Sequence, residues 1–191
     1  MFDAYGPVLG IDPGVSRCGY GAVAAGPGGA LTAQACGVIR TEPGDALPDR
    51  LALLEGELAR LVHELGPSAL AVERVLFQAN TRTAMSVGQA SGLALAVAGW
   101  AGIPVFHYSP NEVKLAVTGD GRADKGQVQA MVARLLALAS PPRPADAADA
   151  LGLAVCHLGS AGLRGAVVDA DGGGDGLARA VAAAVAREPG G

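Results

Sequence analysis

Val8-Leu9-Gly10-Ile11-Asp12-Pro13-Gly14 is the stretch from which the rest of the chain can be interpreted. Its apolar residues predict a buried strand that ends at Asp12, and Pro13-Gly14 predicts a turn. Gly10 has no Cβ, so another backbone can approach the strand closely there. A charge at the end of a buried strand needs a partner, because an unpaired buried ion is costly. Asp12 therefore either hydrogen-bonds into the following turn or belongs to a functional site.

The composition predicts a single α/β domain in the cytoplasm. The chain has 191 residues, half of them hydrophobic and only 4% aromatic, which favours small-residue helices packed on a sheet. No apolar run is long enough to span a bilayer, and the first residues lack the pattern of a signal peptide. Cys18, Cys36 and Cys156 lack the spacing of metal ligands, so they are interpreted as reduced and mostly buried thiols.

The charge is unevenly distributed along the chain. A net charge of −4 argues against a polyanionic partner. Between Arg74 and Arg143, however, there are seven bases and three acids, a net charge of +4. Such a segment is compatible with phosphate binding, although a solvated mixed surface is the commoner explanation.

Hydrophobic periodicity predicts three antiparallel strands, followed by alternating helices and strands. The predicted strands are 8–12, 18–25, 31–40, 69–75 and 105–108, and the predicted helices are 51–65, 80–101, 111–117, 124–138 and 145–158. The strand at 69–75 follows a helix, so we expect it to join the sheet in parallel. The result is a mixed five-stranded sheet with helices on both faces. Residues 1–159 form the predicted domain, and residues 160–191 a weakly ordered Gly/Ala/Asp-rich tail.

Four carboxylates stand out by their positions. Asp12 and Glu73 lie toward the ends of predicted strands, and Asp146 and Asp149 share one face of the last helix. Separately, each has an ordinary explanation: Glu73 could pair with Arg74, and acids in a first helical turn complement the helix dipole. If all four cluster, their repulsion calls for divalent cations, and oxygen ligands suit Mg²⁺ or Mn²⁺.

Seven stretches, in order along the chain, resemble the motifs of RuvC-type crossover junction endodeoxyribonucleases. They are Gly10-Ile11-Asp12-Pro13-Gly14, Ala71-Val72-Glu73-Arg74-Val75, Val87-Gly88-Gln89-Ala90, Glu112-Val113-Lys114, Thr118-Gly119, Asp124-Lys125-Gly126-Gln127-Val128 and Pro144-Ala145-Asp146-Ala147-Ala148-Asp149-Ala150-Leu151. The resemblance runs from about Val8 to His157, and the combination is more specific than any single motif.

This resemblance implies a ribonuclease-H-like fold in which Asp12, Glu73, Asp146 and Asp149 hold two Mg²⁺ ions, with Mn²⁺ as a substitute. It implies a homodimer that nicks two like-polarity strands of a four-way (Holliday) DNA junction during recombination and repair. The nicks would carry 5′-phosphate and 3′-hydroxyl ends that a ligase can seal. The implied partners are the junction-binding and branch-migration motor proteins of recombination, with no membrane association.

The basic residues of the matched segments are candidate catalytic or DNA-binding groups. Lys114 and Lys125 are the only lysines in the chain, and both fall in motifs of the resemblance. We predict that both act in catalysis and in DNA binding, because an ammonium can contact a phosphate oxygen as a compact point charge. An accidental surface position is the alternative for either lysine alone. Arg82 and Arg122 are predicted to contact DNA.

The residues after Glu73 depart from the family pattern. The family often carries an aromatic residue three positions after this glutamate, as a wedge between DNA bases, where this chain has Leu76 followed by Phe77. Apolar wedges can be Phe or Leu, so both are predicted DNA contacts. Core packing is the alternative for Phe77.

The predicted helix at 80–101 is a candidate dimer interface. Gly88, Ser91, Gly92, Leu95 and Gly99 lie near one face, although glycine inside a helix costs roughly 1 kcal/mol relative to alanine. This cost suggests a packing gain, either against a second copy or against the chain's own sheet.

Two rival functions remain at this point. An actin-like or sugar-kinase-like ATPase also places a Gly-Ile-Asp turn after its first strand, but it needs a second such domain. An inactive junction-binding module is the other rival, although unneutralised acids beside DNA phosphates would weaken binding.

Overall fold

The computed structural model describes residues 6–74 and 81–170, with side chains for residues 6–74 and 84–160. The chain separates into two units, Met1–Leu158 and Gly159–Gly191, and the candidate site lies in the first.

The sheet has the mixed topology predicted from the sequence. Its strands are β1 (Val8–Asp12), β2 (Arg17–Ala25), β3 (Leu31–Arg40), β4 (Ala69–Glu73) and β5 (Val105–Tyr108). Their order across the sheet is β3-β2-β1-β4-β5. β1, β2 and β3 pair antiparallel, whereas β1–β4 and β4–β5 are parallel. β1 is therefore flanked by an antiparallel and a parallel neighbour.

Five helices cover the two faces of this sheet in the described residues: α1 (Leu47–Leu65), α2 (Thr81–Ala101), α3 (Pro110–Thr118), α4 (Lys125–Leu135) and α5 (Ala145–Ala170). α1 and α2 pack on one face, where Leu54 and Ala94 are fully buried beside Leu9. α3, α4 and α5 pack on the other, with Val132 and Leu151 buried. The predicted three-layer α/β fold is confirmed.

Several element ends differ from the prediction. α1 begins at Leu47 rather than residue 51, because Pro48 is compatible with a first helical turn. β4 ends at Glu73, two residues earlier than expected. α5 continues to Ala170, beyond the end predicted at residue 158. Gly159, Gly162 and Gly165 disfavour a helix but do not forbid it, since each keeps its backbone N–H.

Glycines in β1 and β2 let α5 lie directly on the sheet. A Cβ on Gly10 would come within 1.9 Å of the carbonyl oxygen of Ala150, and one on Gly21 within 2.7 Å of Leu151. Neither distance is compatible with a real side chain. The close approach predicted at Gly10 is confirmed, and the backbone that approaches is that of α5.

In the part of the chain that the structure describes, no helix has the length and apolarity needed to cross a bilayer. Cys18 and Cys156 are buried, and Cys36 is exposed.

Candidate active site

Two of the four carboxylates lie side by side on adjacent parallel strands. Asp12 is the last residue of β1 and Glu73 the last of β4, directly after the paired residues Ile11 and Val72. Both side chains are half-buried. A hydrogen bond joins the carboxyl groups of Asp12 and Glu73.

The other two carboxylates come from the first turns of α5. Asp146 and Asp149 are three residues apart, so both side chains project from one face of the helix. Gly19, which pairs with Asp12 in the β1–β2 ladder, lies directly beneath this turn. A Cβ on Gly19 would lie 2.2 Å from the carbonyl oxygen of Asp146. The missing side chain thus lets α5 place its acids beside Asp12.

Each carboxylate of α5 is paired with a cation. Arg17, the first residue of β2, donates to Asp146 Oδ2 through Nε at 2.9 Å and also through Nη2. Lys125 Nζ lies 2.6 Å from Asp149 Oδ2. Lys125 is the first residue of α4, whose start is fixed by a capping box between Asp124 and Gln127. The lysine is therefore held at a defined position beside the acids.

The charges of the four acids act on one another. Burial, followed by the charges of Glu73, Asp149 and Asp146, raises the pKa of Asp12 to about 7. Burial and the charge of Asp149 also raise the pKa of Glu73. The hydrogen bond to Asp149 raises the pKa of Lys125. Negative charge is therefore in excess around Asp12.

The loop that joins β1 to β2 is held on both sides. The backbone N–H of Val15 donates to Ser86 Oγ of α2 at 3.3 Å, and its carbonyl accepts from Thr41 Oγ1 at 2.7 Å. Arg50 donates to Thr41 Oγ1 and to Ser16 Oγ, at 2.9 and 2.6 Å. These bonds fix the short segment between Asp12 and Arg17.

The donor set fits a divalent metal. All four groups are carboxylates, the oxygen ligands that Mg²⁺ and Mn²⁺ prefer, and a cation would relieve the repulsion that raises the pKa of Asp12. Among residues 6–74 and 84–160, no three His, Cys, Asp or Glu side chains are already arranged around one ion position. Two of the four carboxylates, Asp146 and Asp149, are each engaged by a cation, Arg17 or Lys125.

The other predicted site residues form no ion pair with a described acid or lie outside the described part. Lys114 is half-buried on α3 and forms no ion pair with a described residue. Arg122 is exposed in the loop before α4, where its backbone N–H donates to Asp120 Oδ1 at 2.8 Å. Leu76, Phe77 and the side chain of Arg82 lie outside the described residues. Their predicted DNA contacts remain predictions.

The pairing of Glu73 with Arg74 is not seen in the described side chains. Arg74 contacts the carbonyl of His107 and lies 3.9 Å from Glu112, and no ion pair joins it to Glu73.

Arg17 is the residue that sequence reasoning missed. Its signal was available, since a four-residue link from Asp12 in a hairpin returns the chain to the same end of the sheet.

The sequence of this chain matches a known protein family. The family model for crossover junction endodeoxyribonuclease RuvC matches residues 8–157. The crossover junction endodeoxyribonuclease RuvC of Salinispora arenicola is 57% identical over 157 residues, which cover 82% of this chain and 90% of that protein.

Two solved structures from Thermus thermophilus have the same fold. The RuvC structure superposes with a TM-score of 0.77 at 38% identity, covering 82% of this chain and 96% of the other. RuvC in complex with a Holliday junction substrate gives 0.78 at 36% identity, covering 82% and 94%. The ribonuclease-H-like fold implied by the sequence motifs is thereby confirmed. The chain belongs to the RuvC family of crossover junction endodeoxyribonucleases.

Proposed function

We propose that this protein is a metal-dependent endonuclease that resolves four-way DNA junctions. The observation that carries the proposal is the meeting of Asp12, Glu73, Asp146 and Asp149 at one end of the sheet, from three separate elements. Membership of the RuvC family supports it. So does the Thermus thermophilus relative, which was solved in complex with a Holliday junction substrate.

In the proposed mechanism the four carboxylates hold two Mg²⁺ ions, for which Mn²⁺ can substitute. When bound, such ions activate a water for attack on phosphorus and stabilise the leaving 3′ oxygen. Lys125 stands beside Asp149 with its side chain 62% exposed, so its ammonium group can reach a phosphate oxygen of a bound strand. The products are nicks with 5′-phosphate and 3′-hydroxyl ends.

The protein acts in this proposal as a homodimer that uses α2. Gly88, Gly92, Leu95 and Gly99 are exposed along one side of this helix, and a Cβ on any of the three glycines would meet nothing within 4 Å. These residues therefore do not pack on the chain's own sheet. Ser91 is the exception, since it is buried. A two-fold dimer matches a junction whose like-polarity strands are related by two-fold symmetry.

The remaining assignments follow from this function. Residues 1–159 are the nuclease domain, and residues 160–191 are a tail without an assigned role. Arg82, Arg122, Lys114 and the pair Leu76–Phe77 are candidate DNA contacts around the acids. The protein acts in this proposal in the cytoplasm, with junction-binding and branch-migration motor proteins as its partners.

The decisive experiment compares three DNA substrates and one nucleotide. A synthetic four-way junction, a linear duplex of the same sequence and a single strand are incubated with the full chain in Mg²⁺ or in a chelator. We expect paired nicks in the junction alone, only with Mg²⁺, and that DNA ligase reseals them. ATP hydrolysis without nicking would favour the actin-like or sugar-kinase-like alternative. Tight junction binding without nicking would indicate an inactive binding module.

A further inference from the structure

The ion pair between Arg17 and Asp146 joins the candidate metal centre to the start of β2. Two donors of the guanidinium, Nε and Nη2, converge on the single oxygen Oδ2 of Asp146. Oδ1 of the same carboxylate receives no hydrogen bond from a described residue. The side chain of Arg17 is 45% exposed and that of Asp146 26%, so the pair lies at the rim of the site.

The position of Arg17 is determined by the fold. The two residues before it are held by Ser86, Thr41 and Arg50, which come from α2, the β3–α1 connection and α1. Arg17 itself pairs with Arg40 across the β2–β3 ladder. Two arginines thus stand at the same end of the sheet, and of these two only Arg17 forms an ion pair with a described acid.

Two cations limit the net negative charge of the acids in the absence of metal. Lys125 pairs with Asp149, and Arg17 pairs with Asp146. Each carboxylate of α5 is therefore matched by one cation. A divalent cation that enters must share these carboxylates with the two cations or replace them there.

We infer that Arg17 is the resident counter-ion of Asp146, and that a divalent metal competes with it for this carboxylate. The inference rests on the proposed metal-dependent function. Arg17 stabilises the metal-free protein by offsetting repulsion among the acids. Once a doubly charged ion is present, the same guanidinium opposes it. Arg17 thus weakens metal binding, the opposite of what a residue that merely orients Asp146 would do.

The test uses the full chain, stripped of metal and titrated with MgCl₂ at pH 8, with thermal unfolding as the readout. Arg17→Gln removes the charge but keeps a side chain that can hydrogen-bond Asp146. Arg40→Gln is the matched control, because it removes an equal charge from the neighbouring strand. The Mg²⁺ midpoint is the MgCl₂ concentration that gives half of the maximal stabilisation. We expect it to fall about threefold in Arg17→Gln, the size typical of an exposed ion pair. In Arg40→Gln the factor by which it falls should be less than half as large. Without Mg²⁺, Arg17→Gln should melt at a lower temperature than Arg40→Gln.

Arg17→Lys provides a second variant, which keeps the charge and should keep a midpoint close to that of the wild type. A midpoint for Arg17→Gln equal to or above that of the wild type would overturn the inference. Asp12→Asn distinguishes a failure of the proposed metal centre from a failure of the role of Arg17. If this variant loses the Mg²⁺ stabilisation while Arg17→Gln leaves the midpoint unchanged, the proposed metal centre stands and the role of Arg17 falls. If Mg²⁺ stabilises Asp12→Asn as much as the wild type, both fall.

Discussion

The carbonyl oxygen of Asp146 occupies the space that a side chain on Gly19 would need, 2.2 Å from the position of its Cβ. Gly19 has no side chain that could react, yet it determines how closely Asp146 and Asp149 approach Asp12. The same contact fixes the distance between α5 and the sheet, so a change at Gly19 should affect stability and catalysis together.

Gly19→Ala should therefore destabilise the protein and slow junction cleavage. The added methyl group meets backbone atoms, which cannot move aside as a flexible side chain can, and overpacking of this kind costs about 1–3 kcal/mol. Urea unfolding and single-turnover cleavage measure the two effects. Gly44→Ala is the control, because a Cβ there meets nothing within 4 Å. Wild-type stability and rate in Gly19→Ala would contradict the close packing of α5.

Each of Asp12→Asn, Glu73→Gln, Asp146→Asn and Asp149→Asn should reduce cleavage by at least about a hundredfold, since each removes a proposed metal-binding charge. Junction binding should persist in all four, measured by fluorescence anisotropy in a chelator. Asp45→Asn, at an exposed loop position, serves as the control. A variant that cleaves at the wild-type rate would remove its residue from the proposed centre.

The metal-free protein should lose stability as the pH rises from about 4, the ordinary pKa of an aspartate, to about 7. In this window the unfolded chain releases the proton of Asp12 while the folded protein retains it. The free energy of unfolding therefore falls as the pH rises. Asp12→Asn keeps a donor toward Glu73 without the charge, and should be more stable than the wild type at pH 8 in a chelator. Urea unfolding at pH 5 and pH 8 tests this. The same pH slope in wild type and variant would show that Asp12 is not the group responsible.

The two lysines should have different effects. Lys125 contacts Asp149, whereas Lys114 on α3 has no ion pair with the described acids. Lys125→Ala should lower the single-turnover rate at saturating enzyme about a hundredfold, the size seen when one fixed transition-state donor is lost. Lys114→Ala should weaken junction binding more than it slows the bound complex. If Lys125→Ala cleaves at the wild-type rate once bound, the lysine only holds DNA.

Gly92→Arg should convert the proposed dimer into a monomer. The glycine is exposed on α2 and a Cβ there meets nothing, so the folded chain accommodates the new side chain while a second copy cannot approach. Sedimentation at micromolar concentration measures the assembly. Gly44→Arg, in an exposed loop, is the control. A wild type that is already monomeric and fully active would exclude an obligate dimer.

Much of the fold could be predicted because local patterns and tertiary packing agree in this chain. The strands 8–12, 31–40 and 105–108 have the predicted limits. The pattern of apolar residues predicted these strands, and α1 ends at Leu65, as predicted. The last predicted helix was wrong at its end, because α5 continues past residue 158 to Ala170.

The acids of the site could be predicted from position, but their partners could not. Asp12 and Glu73 end neighbouring strands, a relationship that the order of elements already implied. The pairing of Asp146 with Arg17 depends on how α5 seats against β2, which Gly19 controls. No periodicity in the sequence reports that distance. The location of Lys125 beside Asp149 likewise required the packing of α4 against α5.

The proposed centre draws its parts from the two ends of the folding unit, since Asp12 lies in the first strand and Asp149 in the last helix. α5 also supplies Leu151, Leu153 and Ala154 to the core on its face of the sheet. Contacts over such a long sequence separation must overcome a large loop-closure entropy before they form. A nascent chain that lacks α5 therefore has neither a complete core nor an assembled centre. Cutting activity should arise only when the last helix docks, in the same event that completes the fold.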